Sequence, residues 1–301
     1  MKISFIMPVK NVGAFVEDAI SGILSQPLDN WELIIVDDSS TDNTYSILEA
    51  HSRKDPRIKT VKNPHKGKVQ GLNYGYSLSK GDYIKCIDGD DVLMQDFGTE
   101  IDRFLAYDAA YHDFEVDNKD LVKISSARMG GSMAEAGFEE CFKEMKSVPR
   151  CLWSFKRSVA DKIFPMPEEL PFEDVWFSLV IKKHASKIGY IKRSLYKYRQ
   201  HGSQTFGGYL NFSKDIVIFR ANRMLKLLEV IGSDSERRFG EPKEKLANII
   251  KFYDLLADGG LSFSKIAFSG LGAGKIMKLL LLRKFNPAAA TALRIKNVVR
   301  R

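Results

Sequence analysis

The chain has 301 residues, 44% of them apolar and 28% charged, the balance of a folded protein with length for one large α/β domain or two small ones, and not of a disordered chain. Its net charge of +8 is unevenly placed: no acidic residue follows Asp258, nine Lys and Arg fill the last 43 positions, and the first 258 residues sum to −1. No run of eighteen apolar residues occurs, which argues against a helical bilayer span, and the start at Lys2 to Pro8 lacks the form of a secretory leader. Cys86, Cys141 and Cys151 show no CxxC spacing, which argues against a disulfide framework or zinc site and for a reducing, cytoplasmic setting.

Residues 3–9 are rich in apolar side chains and close on Pro8, which predicts a buried strand. Val16, Ile20, Ile23 and Leu24 then recur at helical spacing, predicting a helix over 14–26. Trp31 to Val36 is a second buried strand. Asp37-Asp38-Ser39-Ser40-Thr41-Asp42 closes it with several N-cap residue types, and a helix of about a dozen residues follows from Asn43. A third strand is expected at 58–62, a helix at 68–79, and a fourth strand at 82–87 that ends on Asp88-Gly89-Asp90-Asp91. Strands alternating with helices of these lengths predict an α/β fold with a mostly parallel sheet, whose ligands bind beyond the carboxyl ends of the strands. Lys10-Asn11, Asp37-Asp38 and the Asp88–Asp91 cluster all fall at such ends and are expected to converge on one cleft.

The pattern weakens after residue 100. Residues 101–147 read as mixed helical and polar without strong periodicity, 151–155 as a strand, and the Pro-rich stretch 164–171 as a loop leading into a helix from Phe172. A last strand is expected at 190–199 and helix over 214–256. In the tail, apolar bulk and cations mix over 276–285 and again over 288–301, with Pro287 separating two helices. Basic amphipathic helices of this kind lie on anionic headgroups at about 1 kcal/mol per cation near the surface. A helical hairpin packed on the body, or a contact within a homo-oligomer, fits the same residues. The neutral body offers no basic, aromatic-lined face, so no nucleic-acid partner is expected. Gly270-Leu271-Gly272-Ala273-Gly274-Lys275 lacks the spacing and the preceding strand of a phosphate loop.

Asp88, Asp90 and Asp91 crowd three carboxylates into four residues. A hard divalent cation relieves their repulsion, because Mg²⁺ or Mn²⁺ takes oxygen ligands; an acidic surface turn is the bland alternative. Two carboxylates at Asp37-Asp38 are more than a cap requires, which leaves acceptors for a nucleobase or ribose.

In combination these segments carry a resemblance. Ile6-Met7-Pro8-Val9-Lys10-Asn11, Val36 to Thr44, Lys80 to Asp91, Glu173-Asp174 and Tyr198-Arg199-Gln200-His201-Gly202-Ser203 together resemble the GT-A glycosyltransferases of family 2, over about residues 1–210. The resemblance implies a Rossmann-like GT-A fold with a C-terminal helical extension. It implies an inverting transferase that moves a sugar from a nucleotide-diphosphate sugar, with UDP as the default, to a glycan or lipid-linked acceptor, aided by Mn²⁺ or Mg²⁺. Residue by residue, it assigns Pro8, Asn11, Asp38, Asp88 and Asn73 to the donor, Asp90 and His201 to the metal, and Asp174 to the general base. Lys10 departs from the family, where an aromatic residue is commoner, and neither Lys68 nor Gln70 clearly matches its usual basic position. Glu173, Trp153 and Trp176 are candidates for the acceptor side, the tryptophans by stacking on a sugar ring or, equally, as core. Glu173 beside Asp174, among Phe172, Val175, Trp176 and Phe177, is expected to raise the proton affinity of Asp174; a first-turn acidic pair favoured by the helix dipole is compatible with that.

The organisation expected is a nucleotide-sugar half at 1–100, an acceptor and catalytic half at 101–213, a helical region at 214–258, and a basic tail at 259–301 that holds the enzyme peripherally at the cytoplasmic face of a membrane. A metal-dependent nucleotidyltransferase would use the same carboxylates without need of Asp174 or His201. A non-catalytic binding protein of the same fold would have no use for an intact acidic set.

Overall fold

The computed structural model describes residues 1–202 and 214–258. The basic tail at 259–301, and Ser203 of the last motif, lie outside the described residues. The described residues form two compact units: one comprises 1–141, 146–168 and 173–200, the other 142–145, 169–172, 201–202 and 214–258.

The larger unit is built on a nine-stranded sheet. Its strands β1 (Ile3–Val9) and β2 (Trp31–Asp37) are buried at every position. A parallel strand covered on both faces by helices loses polar alternation, which is why these segments read as continuous apolar runs. The helices α1 (Val16–Leu24), α2 (Thr44–Lys54) and α3 (Lys68–Leu78) link β1 and β2 to β3 (Ile58–Lys62) and β4 (Tyr83–Cys86). Val16, Ala19, Ile20 and Ile23 form the buried stripe of α1. At α2 the N-cap residue Asn43 makes no side-chain cap bond, and Asp42 before it serves the helix start instead: one of its carboxylate oxygens accepts the Thr44 N–H at 3.0 Å and the other accepts the Gly13 N–H at 3.0 Å. Helix α3 crosses β1 so closely that a Cβ on Gly75 would stand 2.6 Å from Ile6 Cγ2.

These four strands are ordered β3-β2-β1-β4 and all pair in parallel. The chain winds outward from β1 to β3, then α3 carries it back to set β4 on the other side of β1. That reversal is the point where an α/β sheet opens a crevice at its carboxyl edge. Lys10 and Asn11 leave β1 there, and Asp88 follows β4.

Beyond β4 come β5 (Val92–Leu93), the short helices α4 (Asp96–Thr99) and α5 (Ile101–Leu105), β6 (Ala109–Asp117), β7 (Lys123–Ala127), and the helices α6 (Ser132–Glu135) and α7 (Phe138–Glu144). A 3-10 turn at Arg150–Leu152 then leads into β8 (Trp153–Lys156), α8 (Arg157–Ile163), α9 (Asp174–His184) and β9 (Ile188–Arg199). Strand β8 is antiparallel to both β4 and β6, β6 is parallel to β9, β5 is antiparallel to β9, and β7 pairs with β6. The sheet is therefore parallel in its first four strands and mixed beyond them. Two strands, β6 and β7, occupy the stretch that reads as helical and polar. Buried His112, Asp113 and Asp117 break the apolar signature of β6, and four of the five residues of β7 are exposed.

The smaller unit contains α10 (Lys214–Asp234), a π-helical turn at Ser235–Phe239, a 3-10 turn at Lys243–Leu246 and α11 (Ala247–Ala257). Leu227, Leu228, Ile231, Phe239, Leu246 and Ile249 are buried there. The helix expected over 214–256 is thus broken in the middle, where Gly240 adopts φ +63° ahead of Pro242. No helix among the described residues is long and apolar enough to cross a membrane.

Candidate active site

At the carboxyl edge, the loops after β1 and β2 are stitched together. Asn11 sits in the left-handed region at φ +51°, its N–H donates to Ser40 Oγ at 2.9 Å, and its Oδ1 accepts the Thr41 N–H at 2.8 Å. The Asp38 N–H donates to the Val9 carbonyl at 2.8 Å. Asp38 Oδ1 accepts from Asn63 Nδ2 and from the Gly67 N–H, both at 2.9 Å, while Oδ2 faces Lys10 Nζ at 3.3 Å. Gly67 reaches this position at φ +94°, which suits glycine. Asp37 is buried; its Oδ2 accepts the Ser40 N–H at 3.2 Å, and its Oδ1 has no hydrogen-bond partner among the described residues. Pro8 is buried in β1 beside Gly71 of α3.

After β4, Gly89 allows the acidic turn to press onto β1, since a Cβ there would meet Val9 Cγ1 at 2.6 Å. Asp88 accepts from Lys68 Nζ at 2.7 Å and from the Arg150 guanidinium, and its N–H donates to Tyr196 Oη at 3.1 Å. Lys68, which matched no motif position clearly, is thus the cation that α3 delivers to this carboxylate. Burial pushes the Asp88 carboxyl up, but Arg150 and Lys68 outweigh it and hold it below the usual range. Asp91 is buried, accepts the Arg199 N–H at 2.9 Å, and is driven well above the usual range by burial and then by the charges of Asp90 and Asp88. Ligand atoms of Asp88, Asp91 and Cys151 lie within 4.8 Å of one another, with Asp90 half-exposed beside them. The two carboxylates suit a hard cation. The Cys151 thiol, raised by burial, keeps its proton and is not a ligand for Mg²⁺ or Mn²⁺.

Glu173 and Asp174 stand at the start of α9. Asp174 Oδ1 accepts the Arg150 main-chain N–H at 2.9 Å. Burial first, and the charge of Glu173 second, lift the Asp174 carboxyl to about 6, against the opposing pull of that hydrogen bond and of the Arg150 charge. This carboxylate is ionised near neutral pH yet basic enough to take a proton.

Four expectations change. Trp153 and Trp176 are both fully buried: Trp153 packs edge-on against Tyr111 with ring centroids 4.8 Å apart, and Trp176 Nε1 donates to the Ile163 carbonyl at 3.1 Å. Neither presents a ring face to a sugar. The Glu173 carboxylate, 7% exposed, is held by Arg150 and lies 3.5 Å from Lys68 Nζ, so it neutralises these cations and does not face an acceptor. Asn73 directs both ends of its amide to the main chain of Met166, at 2.9 and 2.8 Å, and so anchors the loop ahead of α9 in place of a donor contact. His201 belongs to the smaller unit. Arg150 is the residue that sequence reasoning missed, one of several cations in and just after a stretch without periodicity.

A winding reversal at β1 and β4, with acidic loops at the carboxyl edge and a helix-borne carboxylate beyond them, is the architecture of the GT-A glycosyltransferases. Residues 4–164, more than half of the chain, match the model of glycosyl transferase family 2, and the chain belongs to that family. The glycosyltransferase GlyG of Streptococcus pneumoniae serotype 4 is 37% identical over 94 residues, a match spanning 31% of each chain. EpsH of Bacillus subtilis is 25% identical over 232 residues, spanning 73% of this chain and 67% of EpsH. Among solved structures, S. aureus TarS 1–349 in complex with UDP-GlcNAc superposes with a TM-score of 0.60 at 15% identity, covering 99% of this chain and 91% of that one. The mannosyltransferase PcManGT from Pyrobaculum calidifontis, in complex with GDP-Man and Mn²⁺, gives 0.58 at 15% identity, covering 98% and 86%. At such identities the likeness is one of fold.

Proposed function

We propose that this chain transfers a sugar from a nucleoside-diphosphate sugar, by default a UDP-sugar, to a hydroxyl of a glycan or lipid-linked acceptor, with inversion at the anomeric carbon. The observation that carries this reading is the placement of Asp174, basic yet ionised near neutrality, one residue of the Arg150 turn away from Asp88 at the sheet's carboxyl edge. Asp37, Asp38 and Asn11 receive the nucleoside, and Asp88 faces the ribose or the donor sugar. Asp174 accepts the acceptor hydroxyl's proton as the acceptor oxygen bonds to the anomeric carbon; the bond from that carbon to the diphosphate oxygen breaks, and the nucleoside diphosphate leaves. A divalent cation, Mn²⁺ or Mg²⁺, would be held by Asp90 with Asp88 and Asp91 and would supply positive charge to the leaving diphosphate.

A panel of UDP-, GDP- and dTDP-sugars with Mn²⁺ tests this reading through release of nucleoside diphosphate. Release from one donor that is lost in Asp90→Asn is the expected result; no release and no nucleotide binding would overturn it. Because the ionised form of Asp174 is the active one, kcat/KM is expected to fall about tenfold per pH unit below the Asp174 pKa of about 6 and to level off above it. A pH profile flat between 4.5 and 7 would remove the base from the mechanism.

The charge pattern of residues 259–301 supports a peripheral site of action at the cytoplasmic face of an anionic membrane, or self-association through the same segment. Flotation with liposomes rich in anionic lipid is expected for the full chain and not for one ending at Asp258. A change from oligomer to monomer on that truncation, with no flotation by either form, would favour self-association.

A further inference from the structure

We propose that Arg150 is a positioning residue for the transfer reaction, a buried clamp that fixes the donor-side carboxylate Asp88 and the base Asp174 in one geometry. The inference rests on the reading of Asp174 as general base.

Arg150 is 1% exposed and opens the 3-10 turn ahead of β8. It meets three site acids in three ways. Its Nη2 donates to Asp88 Oδ1, its Nε to Glu173 Oε1, and its main-chain N–H to Asp174 Oδ1 at 2.9 Å. A guanidinium usually turns its Nε–Nη2 edge to a single carboxylate in a bidentate pair. Here that edge bridges two carboxylates from separate segments, the turn after β4 and the start of α9, which would otherwise repel each other. The third nitrogen, Nη1, is buried without a hydrogen-bond partner among the described residues. Leaving a buried donor unpaired is costly, so packing and salt bridging have fixed this orientation against the side chain's own hydrogen-bonding needs.

The turn itself is held from beneath. Lys85 of β4 is fully buried, donates to the Cys151 carbonyl at 2.6 Å and lies 3.5 Å from that of Trp153. Its Nζ also stands 2.9 Å from His112 Nε2. His112 Nδ1 lies 2.7 Å from the Asp113 carbonyl, which requires the proton on Nδ1 and leaves Nε2 as an acceptor for the lysine. An unbroken path therefore runs from the central strand through Lys85 and the turn to Arg150 and both functional carboxylates. Around Asp174 the charged groups are Glu173 and Arg150, with Lys68 beyond them. Arg150 thus contributes orientation through its main chain and positive charge through its side chain.

The test compares pH profiles of kcat/KM for wild type, Arg150→Met, Arg150→Lys and Asp174→Asn. In Arg150→Met the lost positive charge is expected to move the acid limb upward by about half a pH unit or more, with kcat lowered about tenfold or more. Arg150→Lys keeps the charge but cannot bridge two carboxylates, so the limb is expected to return to the wild-type position while kcat stays about tenfold low. A folded Arg150→Met with an unmoved limb overturns the proposal. Should Arg150→Met not fold, Arg150→Lys decides: lowered kcat at an unshifted limb upholds the clamp, and wild-type kcat overturns it. Activity surviving in Asp174→Asn would instead remove the base on which the inference stands, a result separable from any outcome at Arg150.

Discussion

Asp174→Asn is expected to lower kcat by about 10²- to 10⁴-fold while leaving nucleoside diphosphate affinity within about twofold of wild type. The amide is nearly isosteric and its oxygen still accepts the Arg150 main-chain N–H, so geometry persists while proton-accepting capacity is lost. Single-turnover rates and calorimetric titration with the diphosphate separate the two effects; equal losses in both would mean that the substitution damaged the donor site. The same variant has a signature in stability. The folded-state pKa of Asp174 is raised above that of an exposed aspartate, so its stabilising protonated form prevails at low pH, and this contribution disappears as pH rises through about 6. The asparagine variant carries no such penalty. Its melting temperature is expected to exceed that of wild type at pH 8, with the gain shrinking as pH falls from about 6 to about 4. A gain that does not vary with pH would contradict burial as the origin of the shift.

The second large effect lies in the core. Trp176→Ala is expected to destabilise the larger unit by about 3–5 kcal/mol, because it removes a fully buried indole from α9 together with its hydrogen bond to the Ile163 carbonyl. Trp176→Phe keeps most of the volume and loses the hydrogen bond, so a cost of about 1–3 kcal/mol is expected, with acceptor KM unchanged at a temperature where the variant is folded. Urea titration followed by far-UV circular dichroism measures the first effect and initial rates the second. A raised acceptor KM at unaltered stability would restore the stacking role that burial argues against.

These two residues show where sequence reading succeeds and where it stops. The start of α9 at Glu173-Asp174 was legible because an acidic pair after a Pro-rich stretch and ahead of an apolar run reads as a first helical turn. The strands β1, β2 and β4 were legible because continuous burial writes continuous apolar runs. Strand β6 was not, because the interior it lines is polar: His112 receives Lys85, and the Asp113 carboxylate takes the Met129 N–H and the Tyr190 hydroxyl. Buried polar pairs look like surface until both partners are known. The same limit hid Arg150, whose partners Asp88 and Glu173 lie 62 and 23 residues away. For Trp153 and Trp176 the residue type fits a sugar platform and a core equally, and only solvent exposure distinguishes them. Lys68 lay between these cases: its helix was clear, but that its ammonium lies against Asp88 depends on how α3 crosses the sheet.

The order in which the sheet is assembled bears on how the chain matures. Strands β1 to β4 and their three helices form a sequence-local parallel unit, complete by residue 86. Strand β8, which flanks β4, and the clamp at Arg150 come some 70 residues later. As synthesis proceeds from the N-terminus, the loops after β1 and β2 have their strands in hand while Asp88 has Lys68 as its early cation and waits for Arg150. Pairings across such separations are slow to form because loop closure precedes their reward. Asp174, the proposed base, comes 24 residues later still, and a nascent chain halted before Arg150 would hold the acidic turn without its main counter-charge.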